Sequence, residues 1–406
     1  METLQRGIKG GEWFSLMDKV WKQENLQSAL RQVSRNGGAA GVDGQRCQEY
    51  LQGGPERLQR LRQQLQRGDY QPKPVKRVWI PKLGSKELRP LGIPAVEDRV
   101  TQTALRNVIE PIFENIFAEH SYGFRPGRGA KDALRRVDAL LKAGKTWVVD
   151  ADLKGYFDSI PQGKLVEAVK EHIADGAVLG LIESFLKQGV MESGKGWKPT
   201  EAGTPQGAVI SPLLANLYLN PLDHLMDRQG QEMVRYADDF VILCQSKEEA
   251  QETLEQLKGW VAEAGLVLHP VKTRIVDANA PGGFDFLGYH FERGHRWPRE
   301  KSLQKFRDAI RQKTPRLRPG PMSQIIREAN RTMRGWFEYF KHSLANVMER
   351  EDKWVRHRLR AILRKRHSRG QRDKRPRHQR WPNAYFAELG LFSLAIARRQ
   401  ASQLQR

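Results

Sequence analysis

The sequence predicts an α+β protein: an antiparallel sheet carrying helices on one face, followed by a separate helical domain. Two observations lead to the sheet. Strand-like runs at 75–80, 146–152, 234–244 and 284–291 alternate irregularly with helical patterns at 101–117, 130–141 and 211–226, and no repeat period is visible. A third leads to the helical domain. Ile325, Ile326, Ala329, Met333, Trp336, Phe337 and Phe340 recur at the helical period, so a helix with one apolar face starts near Ser323. Before it, 311–321 holds three prolines, a glycine and four basic residues and reads as a linker and main domain boundary.

The chain has 406 residues, room for two or three domains with real cores. Its net charge of +22 exceeds what solubility requires and points to a polyanionic partner. An anionic membrane surface is the competing explanation, but no apolar run is long enough to span a bilayer, and no membrane partner is expected. The first residues lack the order of a signal peptide. Two cysteines, Cys47 and Cys244, exclude a disulfide framework and are too few for a Cys-rich zinc site. Cys244 reads as a core residue, and a reducing, intracellular setting is the default. The basic residues cluster: 353–380 holds 13 Lys and Arg against one acid, Asp373. Its first part has helical spacing (Val355, Leu359, Ile362, Leu363), and 367–380 reads as an exposed arm suited to phosphates.

Taken in order, four segments carry chemistry. Residues 79–90 read as a hairpin presenting Lys82 and Arg89, facing cations suited to a triphosphate. In 146–152, alternation puts Val148, Asp150 and Asp152 on one face and Trp147, Val149 and Ala151 on the other. Acids at the end of an apolar strand are poorly solvated, although Asp150 could equally cap the turn at Lys154-Gly155. Residues 202–207, Ala-Gly-Thr-Pro-Gln-Gly, form a tight loop whose glycines permit close backbone approach to a ligand. It leads to Ser211 as N-cap and Pro212 at the first helical position. In 236–239, Tyr-Ala-Asp-Asp, two adjacent carboxylates sit at the tip of a hairpin with apolar arms. Such a pair repels itself unless a cation neutralises it, and Mg²⁺ binds through one or two carboxylates plus substrate phosphates. Asp150 or Asp152 would supply the third carboxylate of a two-ion site.

Together these segments resemble a reverse transcriptase of the group II intron type, from about Leu16 to the C-terminus. Residues 40–44 (Ala-Gly-Val-Asp-Gly) resemble its N-terminal extension. Residues 80–99, 121–128, 150–160, 204–219, 235–240, 265–273 and 284–288 resemble its successive fingers and palm blocks. Residues 335–340 resemble its thumb, or maturase, segment. The resemblance implies a right-hand polymerase. Its expected parts are a helical N-terminal extension (1–60), fingers and palm with an antiparallel palm sheet (61–295), a helical thumb (296–365) and a basic C-terminal segment (366–406). The absence of paired cysteines near Arg406 is similar to the compact members that lack a DNA endonuclease. Ala208 stands where a second glycine is common, a mild departure.

The resemblance also implies roles. Asp152, Asp238 and Asp239 are the expected catalytic metal ligands, holding two Mg²⁺ ions or Mn²⁺ as a substitute. Asp152 is chosen over Asp150 because the motif places the acid five residues before an aromatic, here Phe157. Phe157 would lie under the sugar of the incoming dNTP and exclude a 2′-hydroxyl. Lys82 and Arg89 would contact the triphosphate, Gln206 would lie beside the nucleotide, and Lys272 would protonate the leaving pyrophosphate. Phe286, Leu287 and Gly288 would steady the primer end. Tyr236, Trp336, Arg356, Arg360 and Arg364 are further candidate primer or template contacts. The expected partners are intron RNA, an RNA template, a DNA primer or target, and dNTPs. The expected function is RNA-directed DNA polymerisation together with assistance to intron splicing. A mainly RNA-binding splicing cofactor, and a domesticated enzyme of phage defence or DNA repair, are the alternatives.

Overall fold

The computed structural model describes residues 13–81, 88–192, 194, 196–367 and 377–403. The chain packs into two units that divide after Ile275. In chain order the strands are β1 (Val75–Pro81), β2 (Leu88–Ile93), β3 (Trp147–Asp152), β4 (Val190–Glu192), β5 (Gly196–Lys198), β6 (Glu232–Tyr236), β7 (Asp239–Cys244), β8 (Arg274–Asp277), β9 (Phe284–Phe286), β10 (Tyr289–Glu292) and β11 (His295–Pro298).

Two sheets organise the first unit. One has the order β2-β1-β4-β5 and is mixed, because β1 pairs antiparallel with β2 but parallel with β4. The other has the order β6-β7-β3-β8. Here β7 and β3 are central, which explains why Phe240 to Cys244 is continuously apolar rather than alternating: all five residues are fully buried. Both faces of this sheet are therefore covered, and the expectation of helices on one face falls short. Val149, Ala151, Phe240, Ile242 and Cys244 join the main core, together with Ala250, Leu257 and Val261 of helix Lys247–Glu263. Val148, Val241 and Leu243 lie on the opposite face, outside that core. Helix Ala130–Lys142 packs against β6 and β7, and its buried Ala133, Leu134, Val137 and Leu140 also lie outside the main core.

Helices complete the unit. Gln23–Asn36 buries Leu26, Ala29, Leu30 and Val33, an i, i+3, i+4, i+7 stripe, and packs along Val96–Glu114. Helix Ser211–Arg228 begins differently from the expected cap. Ile210 occupies the N-cap position in helical geometry, and the Ser211 hydroxyl instead donates 3.0 Å to the Pro205 carbonyl. The serine thus ties the preceding loop to the helix rather than satisfying a helix-end amide.

The second unit contains the antiparallel sheet β11-β10-β9 and helices Glu300–Lys313, Met322–Phe340, Ala345–Arg366, Asn383–Glu388 and Leu394–Gln403. Residues 311–321, read from composition as the main boundary, join two packed helices inside this unit. Proline and glycine mark where a helix stops, which does not distinguish a turn within a domain from a link between domains. Among the described residues, no helix is long and apolar enough to cross a membrane.

Candidate active site

The site forms where β3 meets the β6–β7 hairpin. The register pairs Val148 with Leu243, Asp150 with Val241 and Asp152 with Asp239. Tyr236 pairs with Asp239 across the hairpin, so Ala237 and Asp238 form a two-residue turn. Asp152 thus lies at the same sheet end as the adjacent Asp238 and Asp239, which are distant from it in sequence. Ala237 adopts a left-handed φ of 59°. Burial is the main influence holding the Asp238 carboxyl above its usual range, and the neighbouring Asp152 charge adds to it. Hydrogen bonding to backbone and the charges of Arg89 and Lys272 oppose the shift. Asp150, the other acid of β3, faces Arg274 at 3.4 Å.

A buried framework holds the turn. Among the described residues Arg235 is the largest fully buried side chain, and its guanidinium grips both oxygens of Asp223, which is 3% exposed. Its Nη1 donates to Asn216 Oδ1 at 2.9 Å and to the Ala237 carbonyl at 3.0 Å. Asn216 Nδ2 in turn donates 2.7 Å to the Gly123 carbonyl. A Cβ on Gly123 would overlap the Ala237 amide nitrogen, so only glycine lets this segment lie against the turn. The backbone of 120–122 also hydrogen-bonds Arg235, through Arg235 N to His120 O and Tyr122 N to Arg235 O. The sequence pattern did not reveal this role for Arg235, Asp223, Asn216 and Gly123. One signal was available: an arginine at a strand position flanked by apolar residues has to find a buried partner.

Around the carboxylates stand the expected nucleotide-side residues. Lys272 Nζ donates to Asp152 Oδ2 at 2.5 Å. Arg89, opposite Ile80 in the β1–β2 pair, donates from Nε to Gln206 Oε1 at 2.9 Å. Gln206 Nε2 donates to Asp158 Oδ2 at 2.9 Å. Phe157 is buried in the short helix Tyr156–Ser159, with its ring 5.6 Å from that of Tyr156. Tyr236 is half-buried, 6.4 Å from the Phe124 ring. Lys82 lies outside the described residues. The glycines of 202–207 differ from their expected use. A Cβ on Gly203 would come within 2.6 Å of the Phe157 carbonyl, and one on Gly207 would overlap the Gly92 carbonyl. They admit close approach of the protein's own backbone, which packs this loop against the Phe157 helix and β2.

The donor set suits hard divalent ions. Among the described residues no group of three His, Cys, Asp or Glu side chains is gathered closely enough to form a complete metal cage. Mg²⁺ does not need one, since it is usually held by one or two carboxylates with waters and substrate phosphates. Carboxylate oxygens at a strand end, one of them desolvated, fit that ion.

In the second unit the predicted contacts separate. Phe286 is fully buried, so its ring is a core element and not a surface for nucleic acid. Leu287 and Gly288 form a left-handed turn, with φ of 46° and 85°. Their carbonyls accept from Tyr339 Oη (2.8 Å) and Ser302 Oγ (2.9 Å). Trp336 packs between Phe306 and Phe340, at 4.6 and 5.0 Å. Arg360 is engaged by the Trp381 carbonyl (2.9 Å) and Asn383 Oδ1 (2.8 Å) and lies over the Phe386 ring. Arg356 lies 3.9 Å from buried Asp352. These arginines and Trp336 hold the unit together, and Arg364 remains exposed. Most of the basic arm, 368–376, lies outside the described residues.

Comparison with known proteins gives two family matches. Residues 80–291 match the model of reverse transcriptase (RNA-dependent DNA polymerase), and residues 303–381 match the group II intron maturase-specific domain. The chain is 37% identical to protein YkfC of Escherichia coli, over 58% of this chain and 71% of that protein. It is 33% identical to the group II intron-encoded protein LtrA of Lactococcus lactis, over 58% of this chain and 49% of that protein. It thus spans about half of the latter's length. Among solved structures, the partial Cas6-RT-Cas1–Cas2 complex is similar at 23% identity and a TM-score of 0.40, over 61% of this chain and 41% of that one, a likeness too loose to add to the sequence matches.

Proposed function

The chain belongs to the reverse transcriptase (RNA-dependent DNA polymerase) family and carries a group II intron maturase-specific segment, and from that premise we propose that it extends a primer 3′-hydroxyl with dNTPs on an RNA template. The observation that carries this reading is the cross-strand pairing of Asp152 with Asp239 beside the desolvated Asp238. The three carboxylates would hold two Mg²⁺ ions, or Mn²⁺, whose chemistry is activation of the attacking oxygen and charge stabilisation at the leaving oxygen. The chain's own residues position the reactants. Arg89 would meet the triphosphate, Gln206 would lie beside the nucleotide, and Phe157 would bound the sugar. Lys272, within reach of Asp152, would face the pyrophosphate. Most of the acceleration would come from this orientation and from charge neutralisation.

The test is primer extension on an RNA template with wild type and Asp238→Ala. The variant is expected to lose extension while its RNA affinity stays within about twofold; an active variant overturns the assignment of the carboxylates.

The match of 303–381 favours a second role on the same chain: binding an intron RNA and assisting its splicing. Splicing of a group II intron RNA, assayed with Asp238→Ala protein, separates the roles. Retained splicing supports RNA folding independent of polymerisation, and joint loss argues against it.

A further inference from the structure

We propose that Asp158 is a positioning residue for the incoming nucleotide, acting through Gln206 by holding its carboxamide in one orientation. The inference rests on the polymerase reading of the site and adds to it a residue outside the expected set.

Gln206 sits between two groups of opposite hydrogen-bonding character. Its Nε2 donates to Asp158 Oδ2 at 2.9 Å, and its Oε1 accepts from Arg89 Nε at 2.9 Å. An ionised carboxylate only accepts, and a guanidinium only donates. Flipping the amide would set oxygen against carboxylate and NH₂ against guanidinium, breaking both bonds and replacing them with repulsion. The two neighbours therefore select one amide orientation.

The backbone gives Asp158 a fixed place from which to do this. Asp158 N donates to the Gly155 carbonyl at 2.9 Å, closing the short helix that also carries Phe157. That helix is joined to the Gln206 loop by Thr204 N to Phe157 O at 2.7 Å and Gly203 N to Ile160 O at 2.8 Å. The loop is joined to β2 by Gly92 N to Gln206 O at 2.6 Å. One short element thus supports both the residue expected to bound the sugar and the residue expected to lie beside the nucleotide. Asp158 and Arg89 are exposed, and Gln206 is half-buried. In water such bonds are weak, but a nucleotide covering the site would exclude solvent and strengthen them.

An orientation effect on binding is read in KM rather than kcat. Steady-state primer extension on an RNA template would be measured for wild type, Asp158→Asn, Asp158→Ala, Gln206→Ala and the double variant Asp158→Ala/Gln206→Ala. Asp158→Asn keeps the volume but can donate as well as accept, so it no longer selects one orientation. The expected result is a rise of about tenfold in KM for dNTP for both Asp158 variants, with kcat changed less than threefold. The double variant should match Gln206→Ala alone, because Asp158 has nothing left to orient. Two results overturn the proposal: Asp158 variants that keep the wild-type KM, or effects of Asp158→Ala and Gln206→Ala that multiply in the double variant. Thermal unfolding of each variant identifies loss of fold. If Asp158→Ala unfolds, the near-isosteric Asp158→Asn, alone and combined with Gln206→Ala, decides the matter. Wild-type protein without extension activity overturns the polymerase reading and this inference together; active wild type with unaltered Asp158 variants overturns this inference alone.

Discussion

Arg235 and Asp223 form a fully buried, two-pronged ion pair directly beneath the turn that carries Asp238. The strand places the arginine, helix Ser211–Arg228 places the aspartate, and the Ala237 carbonyl takes one of the remaining guanidinium protons. Removing one partner of a buried pair strands the other without solvent, at a cost of about 3–5 kcal/mol. Asp223→Ala and Arg235→Leu are each expected to lose stability of that order in urea unfolding. The paired substitution Arg235→Met/Asp223→Leu should recover part of it. Single variants as stable as wild type would show that the pair does not hold this end of the sheet.

Gly123 offers a finer probe of the same turn. A methyl group there meets the Ala237 amide, and the backbone on one side or the other has to shift. Misplacement of a reacting geometry by about 1 Å can cost about 100-fold in rate. Gly123→Ala is therefore expected to reduce primer extension at least tenfold while RNA affinity, measured by filter binding, stays unchanged. Full activity would mean that the turn tolerates displacement.

Phe157 tests the sugar boundary. Its side chain is buried beside Tyr156, so shortening it opens space without disturbing the carboxylates. Phe157→Val is expected to raise ribonucleotide incorporation relative to dNTP at least tenfold, scored in parallel extension reactions. An unchanged ratio would place the discrimination elsewhere.

Asp98 gives a pH signature in stability. Burial pushes its carboxyl up to about 7, against the hydrogen bonds donated by Tyr70 Oη (2.6 Å) and Lys73 N (3.2 Å). The ordinary value is 3.8, so between those values the folded chain holds a proton that the unfolded chain has released. Stability contributed by this group is complete at low pH and is lost as pH rises toward 7, at no more than about 1.4 kcal/mol per pH unit for one proton. Asp98→Asn cannot ionise. Its stability is lower overall, because an amide cannot accept both bonds through its two ends, but the slope between pH 4 and 7 should be shallower than in wild type. Parallel curves would count against the shift.

Salt dependence addresses the nucleic-acid surface. With a charge of +22 the chain is expected to bind RNA with a log–log salt slope near −0.7 per neutralised single-strand phosphate. Replacing exposed Arg364 by Gln should reduce the slope by up to about 0.7 without destabilising the fold. Replacing Arg360 should lower stability instead, because it bridges Trp381 and Asn383.

That contrast between Arg364 and Arg360 marks the limit of reading along the chain. Both lie in a basic stretch on one helix, and sequence assigned both to nucleic acid; only packing separated them. The elements themselves were legible, because helices and strands repeat their apolar residues at fixed local periods. Ser211–Arg228, Ala130–Lys142 and the helix starting near Ser323 lie within a few residues of where the periodicity put them. The candidate acids were legible too, since adjacent carboxylates at an apolar strand end demand an explanation. The sequence by itself determined several of the main elements and which side chains are candidates for the chemistry. The tertiary structure alone decided that Asp152 stands opposite Asp239, that Arg235 is buried on Asp223, that Asp158 faces Gln206 and that Phe286 is core. Each of these depends on register or desolvation between segments distant in sequence, and no local period encodes either.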